Sequence, residues 1–593
     1  VPELRFNAAE KIAQRDVEVN SMSTINHQPM LPLTVGLFVL GLILLFALPE
    51  TGAVAADQAD AEQRPTIGLV LGGGGARGAA HVGVLKVLDE LRIPVDYIAG
   101  TSMGSIVGGL YASGMSAQQI EREMSAMNWA DLFTDAPERA ERSFRRKRDD
   151  DYYTVKAKVG IHDGGIAIPF AFIRGQKFDL ELNRLMLPVY DVQDFDRLPI
   201  PYRAVAADVE TGKEVVLTGG NLVKSIRASM AVPAAFDPVE IDGRLLVDGG
   251  IANNVPVSVA RAMGADILIV VDVGSGLSKR EDIKTGLDVT AQLTNFLFTL
   301  NSEQQLNTLG PQDVIIRPPL GDIGGGSFDR VSEAILQGEL GARELIADLR
   351  RYSLSPERYN AHVAQRGQRR SEAPVIDFIR INNQSHVDDE IIAKRITART
   401  GEPLDVRRIE QDIGQVYGLE IFESVRYDVV NENGRTGLVI SAREKSWGPA
   451  YIQFGLASSN DVEGESTVRF GMLYTLPQLN VLNGEWRIGA QVGDEPGVFT
   501  ELHQPLDALS RYFVSGRVGY SRRNIYVFDD AGDRLSQYRL STAQLELGLG
   551  REFGTWGEGR LGYRRESGSA DISVGDPEPD IEVDLGEIFI RLS

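Results

Sequence analysis

At Trp447 the hydrophobic rhythm of this chain changes, and that change limits the folds open to it more than any other feature. Before about residue 352, short apolar runs alternate with segments of helical period. Residues 66–71 read as a strand, and 79–91 as a helix with Val84, Leu85, Leu88 and Leu91 on one face. Residues 94–99 read as a second strand and 103–113 as a second helix. The run 265–273 (ADILIVVDV) is apolar throughout, as expected of a parallel strand covered on both faces. This alternation predicts a three-layer α/β domain with a largely parallel sheet. After Trp447 the helical period disappears. Val468, Phe470, Met472 and Tyr474 alternate with Thr467, Arg469 and Gly471, and Trp486, Ile488, Ala490 and Val492 alternate with Arg487, Gly489 and Gln491. The same dyad recurs at 512–521 and 543–549. About eight such strands predict an antiparallel transmembrane β-barrel, apolar toward lipid and polar toward a lumen. A soluble sandwich alternates likewise. Aromatic residues at the strand ends and an export signal favour the barrel.

Between these halves, residues 353–373 are polar without an apolar period and read as a linker. Residues 374–446 read as a small β-α-α-β-β unit. Its elements are a strand at 375–379, helices at 388–399 and 404–417, and strands at 422–430 and 436–444 joined by an Asn433-Gly434 turn. At the other end, the run 31–48 (LPLTVGLFVLGLILLFAL) followed by Ala53-Val54-Ala55 reads as a secretory signal with an A-x-A cleavage site. A retained membrane anchor is the alternative. Residues 1–30 are polar, with Met22 or Met30 as candidate true starts. The expected division is an extension and signal at 1–56, an α/β domain at 57–352, the linker, the small unit, and barrel strands at 447–593.

Composition removes several chemistries. A net charge of −22 lacks the basic footprint of a nucleic-acid binder. With no cysteine, disulfides, thiol catalysis and Cys-based metal sites are excluded. The six histidines are scattered and form no H-E-x-x-H. No metal and no cofactor is expected.

Two glycine landmarks lie in the α/β half. The first, Gly72-Gly73-Gly74-Gly75-Ala76-Arg77-Gly78, follows the strand at 66–71. It lacks the Lys-Ser/Thr of a phosphate-binding P-loop. It matches G-x-G-x-x-G as Gly73, Gly75 and Gly78, but the acidic residue expected about 20 positions on is met only loosely by Asp96. The second is Gly100-Thr101-Ser102-Met103-Gly104, between a predicted strand and a predicted helix. That is the setting of a nucleophile elbow, where small flanking residues let a strained turn lift the serine Oγ at a helix N-terminus. An oxyanion hole explains both landmarks together, because bare backbone amides near Ser102 would stabilise a tetrahedral intermediate. A serine nucleophile needs a base. His162 is the only histidine between Ser102 and the linker, and His81, one turn into the helix after the glycine loop, reads as packed or solvent-facing. Asp248, delivered by the apolar run Leu245-Leu246-Val247 into Gly249-Gly250, is the better candidate, and favours a Ser–Asp dyad over a histidine triad.

Taken in order, Gly73-Gly74-Gly75-Ala76-Arg77-Gly78, Gly100-Thr101-Ser102-Met103-Gly104 and Asp248-Gly249-Gly250 resemble the three motifs of patatin-like phospholipases. The resemblance covers roughly residues 64–350. It implies a lipid acyl hydrolase with Ser102 as nucleophile, Asp248 as base, and the glycine loop with Arg77 supplying oxyanion contacts. Gly250 stands where many members have alanine. Residues 374–445 resemble a POTRA domain, with Gly418-Leu419-Glu420-Ile421-Phe422-Glu423-Ser424-Val425 close to its G-x-x-x-F-x-x-V signature. The strands that follow resemble the bacterial surface antigen family, and the whole order resembles a type Vd autotransporter whose barrel is partial here. The resemblance implies an exported, outer-membrane protein with its enzyme domain periplasmic or extracellular. The implied partners are a phospholipid substrate, the bacterial outer membrane, its assembly machinery and a second copy of the chain, with no nucleic acid. The alternative is an outer-membrane transport or assembly protein with a non-catalytic α/β cargo. Two further stretches stand out. The basic island Arg142–Arg148 reads as a solvated face, with anionic headgroups as the alternative partner. Residues 166–172 (IAIPFAF) read as an apolar lip over an acyl pocket or as core.

Overall fold

The computed structural model describes residues 64–155, 158–162, 164–167, 173–281, 283–367, 373–460, 466–528, 534–575 and 581–593. The export signal expected at 1–56 and residues 168–172 of the expected lip lie outside them. From Pro65 onward the described residues form one compact unit.

The first layer system is the predicted α/β domain. Its sheet runs Val314–Ile316, Ile267–Val271, Ile67–Leu71, Tyr97–Thr101, Tyr202–Asp208, Arg244–Asp248, Val239–Ile241, with Glu214–Leu217 also paired to Tyr202–Asp208. The first five strands are parallel, and the pairs beyond Tyr202–Asp208 are antiparallel. Leu69, Val70, Ile269 and Val270 are wholly buried, as strands covered on both faces require. From Ile67–Leu71 the chain builds the sheet on one side, through Tyr97–Thr101 and Tyr202–Asp208, and later crosses back to place Ile267–Val271 on the other side. The carboxyl ends of these strands therefore open onto a crevice at a switch point, where ligands bind in such sheets.

The segment 353–373 differs from the expected linker. Pro356–Gly367 is a helix. Its start carries standard signals: Ser355 Oγ accepts the Arg358 amide, Pro356 opens the helix and Glu357 sits in the first turn. Its Tyr359 ring is buried, and the hydroxyl donates to Asp89 of the α/β domain at 2.8 Å. A single anchoring aromatic leaves no apolar period to read. The unit that follows has the predicted β-α-α-β-β order. Phe378–Gln384 lies parallel to Arg435–Glu444, which pairs antiparallel with Phe422–Glu432. The first helix is shorter than the 388–399 expected, spanning Asp389–Ala393, and the second is Val406–Tyr417.

The C-terminal strands form a large antiparallel sheet whose eight members run from Ala450–Asn460 to Ile581–Leu592. Its sidedness separates a barrel from a sandwich. The apolar positions Val468, Phe470, Val514, Leu547 and Leu561 are exposed, while Glu485, Arg487, Glu501, Glu558 and Arg560 are buried. A soluble sandwich buries its apolar face. Apolar out and charged in is the arrangement of a lipid-facing, barrel-like sheet. No helix among the described residues is long and apolar enough to cross a membrane.

Two more strands of this sheet come from within the α/β sequence. Val159–His162 pairs antiparallel with Ala450–Asn460, and Gly165–Ala167 pairs with Val159–His162. They belong to an excursion closed at its base by Asp135, whose carboxylate accepts the amides of Arg174, Gly175 and Gln176. The same excursion carries the basic island, and here both readings of it fail. Helix Phe144–Tyr152 lies against the charged face of the sheet, with Arg145 and Arg146 buried. Arg145 pairs with Glu485 at 2.7 Å and Glu501 at 2.6 Å, Arg148 with Glu558 at 2.7 Å, and Asp149 with Arg487 at 2.8 Å. These partners lie hundreds of residues downstream, so the local pattern of charges could not show that they are paired.

Glu485 holds Arg145, Arg146 and Arg487 together. Removing one partner of a buried charge network costs several kcal/mol because the remaining charges stay buried. The Glu485→Ala variant is therefore expected to unfold about 3–5 kcal/mol more easily in a urea titration of the lipid-reconstituted chain. A midpoint within error of the unmodified chain would show that the network adds nothing.

Candidate active site

The three sequence landmarks converge at the carboxyl end of the sheet. Strand Tyr97–Thr101 hands over to helix Met103–Ala112 through Ser102, which takes φ 54° and ψ −124°. A positive φ at a non-glycine residue is costly and marks a strained turn, here the nucleophile elbow. The flanking glycines are needed for space. A Cβ on Gly100 would run into the Gly104 carbonyl, and one on Gly104 into the Leu71 carbonyl. Ser102 is 6% exposed at the helix N-terminus. Its amide donates to Ser229 Oγ at 3.0 Å, and Ser229 in turn donates to the Val205 carbonyl. Ser229 was not legible as part of the site, since it lies in no motif.

Asp248 reaches the same place by register. Thr101 pairs with Val205, and the next residue of that middle strand, Ala206, pairs with Asp248. The serine and the aspartate thus flank one strand at the same level of the sheet. Asp248 is fully buried. Its Oδ1 accepts the Gly250 amide at 2.8 Å, while Oδ2 has no well-directed hydrogen bond. Burial pushes the carboxyl pKa up to about 6, against the opposing effects of the Ser102 hydroxyl and the Gly250 amide.

The glycine loop is held from several sides. The Gly73 amide donates to the Asn254 carbonyl at 3.1 Å and the Ala76 amide to the Gly325 carbonyl at 2.8 Å. Among the described residues, the Gly74 and Gly75 amides have no acceptor. Arg77 departs from its expected oxyanion role. Its guanidinium donates to the carbonyls of Val273, Ile323 and Gly274, so it pins the loop to neighbouring segments. Gly78 packs directly on Met103, where a Cβ would lie 2.5 Å from Cγ. His81 is wholly buried, and its Nε2 lies 2.8 Å from the Gly72 carbonyl. Burial pushes its pKa down to about 4, so the ring is neutral and Nε2–H donates to that carbonyl. His81 is thus packed, as expected, and it also braces the loop. His162 is elsewhere, bonded to the Gly448 carbonyl. Asp96 accepts the Ile67 amide at the start of the first strand, the wrong end for a ribose.

An apolar cavity of about 290 Å³ lies close to Asp248, lined by residues next to its backbone partner and next to Gly250 rather than by Ser102 or Asp248. Residues 232–235 form one wall, continuing from Ala231, whose carbonyl accepts the Asp248 amide. Thr290, Ala291, Thr294 and Phe298 of helix Gly286–Leu306 form the other, and the Phe298 ring packs on Gly250.

The profile of the patatin-like phospholipase family matches residues 69–261, which contain every one of these landmarks. Over those residues the chain is similar to patatin-like phospholipases. The chain is 37% identical over 212 residues to the patatin-like phospholipase domain-containing protein 6 of Mus musculus, covering 35% of this chain and 14% of that protein. It is 35% identical over 244 residues to an uncharacterized NTE family protein of Mycobacterium tuberculosis, covering 41% of this chain and 58% of that protein. The chain thus spans about a seventh of the first relative and less than two thirds of the second. Among solved structures, VipD from Legionella pneumophila superposes with a TM-score of 0.29 at 14% identity, over 48% of this chain and 66% of that one. BamA from Haemophilus ducreyi lacking POTRA domains 1–3 superposes with a TM-score of 0.28 at 12% identity, over 38% and 44%. The family match ends at residue 261, so helix Gly286–Leu306 and its cavity wall lie outside the matched segment.

Proposed function

We propose that this chain is a serine lipid acyl hydrolase of the phospholipase A type, working through a Ser102–Asp248 dyad. The observation that carries this reading is the pairing of a strained serine at a helix N-terminus, whose side chain makes no capping bond, with a buried aspartate that the serine hydroxyl approaches. The Ser102 Oγ attacks the ester carbonyl as Asp248 takes its proton. Negative charge on the carbonyl oxygen is met by the Gly74 and Gly75 amides, the two loop donors not already engaged. Collapse of the tetrahedral intermediate expels the lysophospholipid alkoxide, which takes the proton back from Asp248. Water, giving its proton to the same aspartate, then attacks the acyl-serine, and collapse returns that proton to Ser102 and frees the fatty acid. The cavity close to Asp248 accommodates part of the acyl chain. The unit at 374–446 is the POTRA-like element of the resemblance. The inverted sheet anchors the assembly in the outer membrane, with residues 1–56 as its export signal.

The full chain should release fatty acid from position-labelled phospholipid vesicles. A fluorophosphonate should add once, at Ser102, and abolish that release. Because Asp248 must be ionised to accept a proton, kcat/KM should fall as pH drops through about 6. Fluorophosphonate addition elsewhere, or none, would return the non-catalytic cargo reading to first place.

A further inference from the structure

We infer that helix Gly286–Leu306 docks the patatin-like domain onto a lipid surface and presents bilayer lipid to the dyad, an inference that rests on the hydrolase reading. The helix is 21 residues long and carries no charged residue from Val289 to Ser302. Val289, Leu293, Phe296, Leu297 and Leu300 recur at helical spacing and fall within an arc of roughly 100°. All five are exposed, Leu293 by 57% and Leu300 by 59%. A helix on a globular domain normally turns such a stripe inward, and a contiguous exposed apolar face marks an interaction site.

Two observations choose lipid as the occupant. The first is continuity. The adjoining side of the same helix, through Thr290, Thr294 and Phe298, walls the apolar cavity, and the Phe298 ring packs on Gly250, two residues from Asp248. One helix therefore joins an outward apolar face to the acyl cavity, which is the path a lipid tail needs. The second is the polar flank. Lys279, Arg280 and Lys284 just before the helix are balanced by Glu281, Asp282 and, in its first turn, Asp288, so in a chain whose net charge is −22 this flank carries no net charge to repel a headgroup layer. Apolar side chains buried at the headgroup boundary are what an interfacial helix presents.

The chain has no cysteine, so single Leu293→Cys and Leu300→Cys variants can each carry one environment-sensitive dye. The full chain is reconstituted in vesicles of phosphatidylglycerol and phosphatidylcholine, with the exposed Lys213→Cys as control. Dye at 293 and 300 is expected to shift to the blue and be quenched by lipids bearing spin labels, with dye at 213 unaffected. Water-like emission at 293 and 300 overturns the inference. So does a blue shift without lipid quenching that tracks protein concentration, which would place a second copy on the face. In parallel, Leu293→Asp with Leu297→Asp is expected to slow fatty-acid release from vesicles at least tenfold while hydrolysis of a soluble short-chain ester is unchanged. Equal losses on both substrates would overturn the docking role. If the unmodified chain cleaves neither ester, the hydrolase reading fails, and lipid quenching at 293 and 300 still upholds docking.

Discussion

Replacing Asp248 by asparagine should abolish nearly all turnover and at the same time make the protein more stable at pH 8. The first effect follows from the role of the group. Asparagine can accept the Gly250 amide as Asp248 does, but it cannot take a proton from Ser102. Loss of a general base costs between about 10² and 10⁴ in rate, and with no histidine placed at the dyad the upper part of that range is expected. Ser102→Ala should lose at least as much, and the double variant no more than Ser102→Ala alone, because the members of a proposed dyad act as one unit. The second effect follows from burial. The folded-state pKa of Asp248 is raised from 3.8 to about 6, so the native protein binds this proton more tightly than the unfolded chain does. Stability therefore falls as pH rises from about 4 to about 6, and the full penalty, about 3 kcal/mol, is present above that. Asparagine removes it, so the variant should unfold at higher denaturant at pH 8, with the difference gone below pH 4. An Asp248→Asn protein that keeps most of its kcat would sink the dyad. One that is inactive yet no more stable at pH 8 would mean that the carboxylate is better solvated than its burial implies.

The parts of this site that were legible from sequence are those in which a local rule forces a residue type. Gly100 and Gly104 flank a serine at a strand-to-helix turn because backbone atoms occupy the space a side chain would need, and that constraint is written in five consecutive residues. Asp248 was legible because a charged residue ending an apolar strand has no packing purpose. The residues that hold these groups were not legible. Ser229, Asn254 and the Gly325 carbonyl reach the site through the sheet and its crossovers, and nothing in their own neighbourhoods announces it. The same distinction explains the rest of the chain. The period-two strands after Trp447 were plain because every strand repeats the rule. The basic helix at Phe144–Tyr152 was misread because its meaning lies in Glu485, Glu501 and Glu558, on strands formed more than 300 residues later. Arg77 illustrates a subtler limit. Its motif marks it as important, but only its three carbonyl partners show that it shapes the loop from behind.

The second large effect is expected at Gly73. Its backbone is not in the left-handed region, so alanine costs little in conformation, and the consequence is one of space. A Cβ there would collide with the Asn254 side-chain oxygen and stand 3.1 Å from Ser102 Cβ. Asn254 accepts the Gly73 amide through its carbonyl, and its Nδ2 lies 3.4 Å from the Gly73 carbonyl, so displacing it shifts the loop that aims the Gly74 and Gly75 amides. Losing one oxyanion donor costs about 10² to 10³ in kcat. Gly73→Ala should reach that range, with fluorophosphonate labelling of Ser102 slowed alongside. The neighbouring Gly74→Ala is the control. Its Cβ would press on Val273, 2.9 Å from Cγ2 and 3.0 Å from the carbonyl oxygen. Overpacking of that kind costs about 1–3 kcal/mol of stability. Gly74→Ala should therefore lose more in unfolding free energy than Gly73→Ala does, and less in kcat. The reverse order would mean that the loop serves the strand–helix packing and that the oxyanion is held elsewhere.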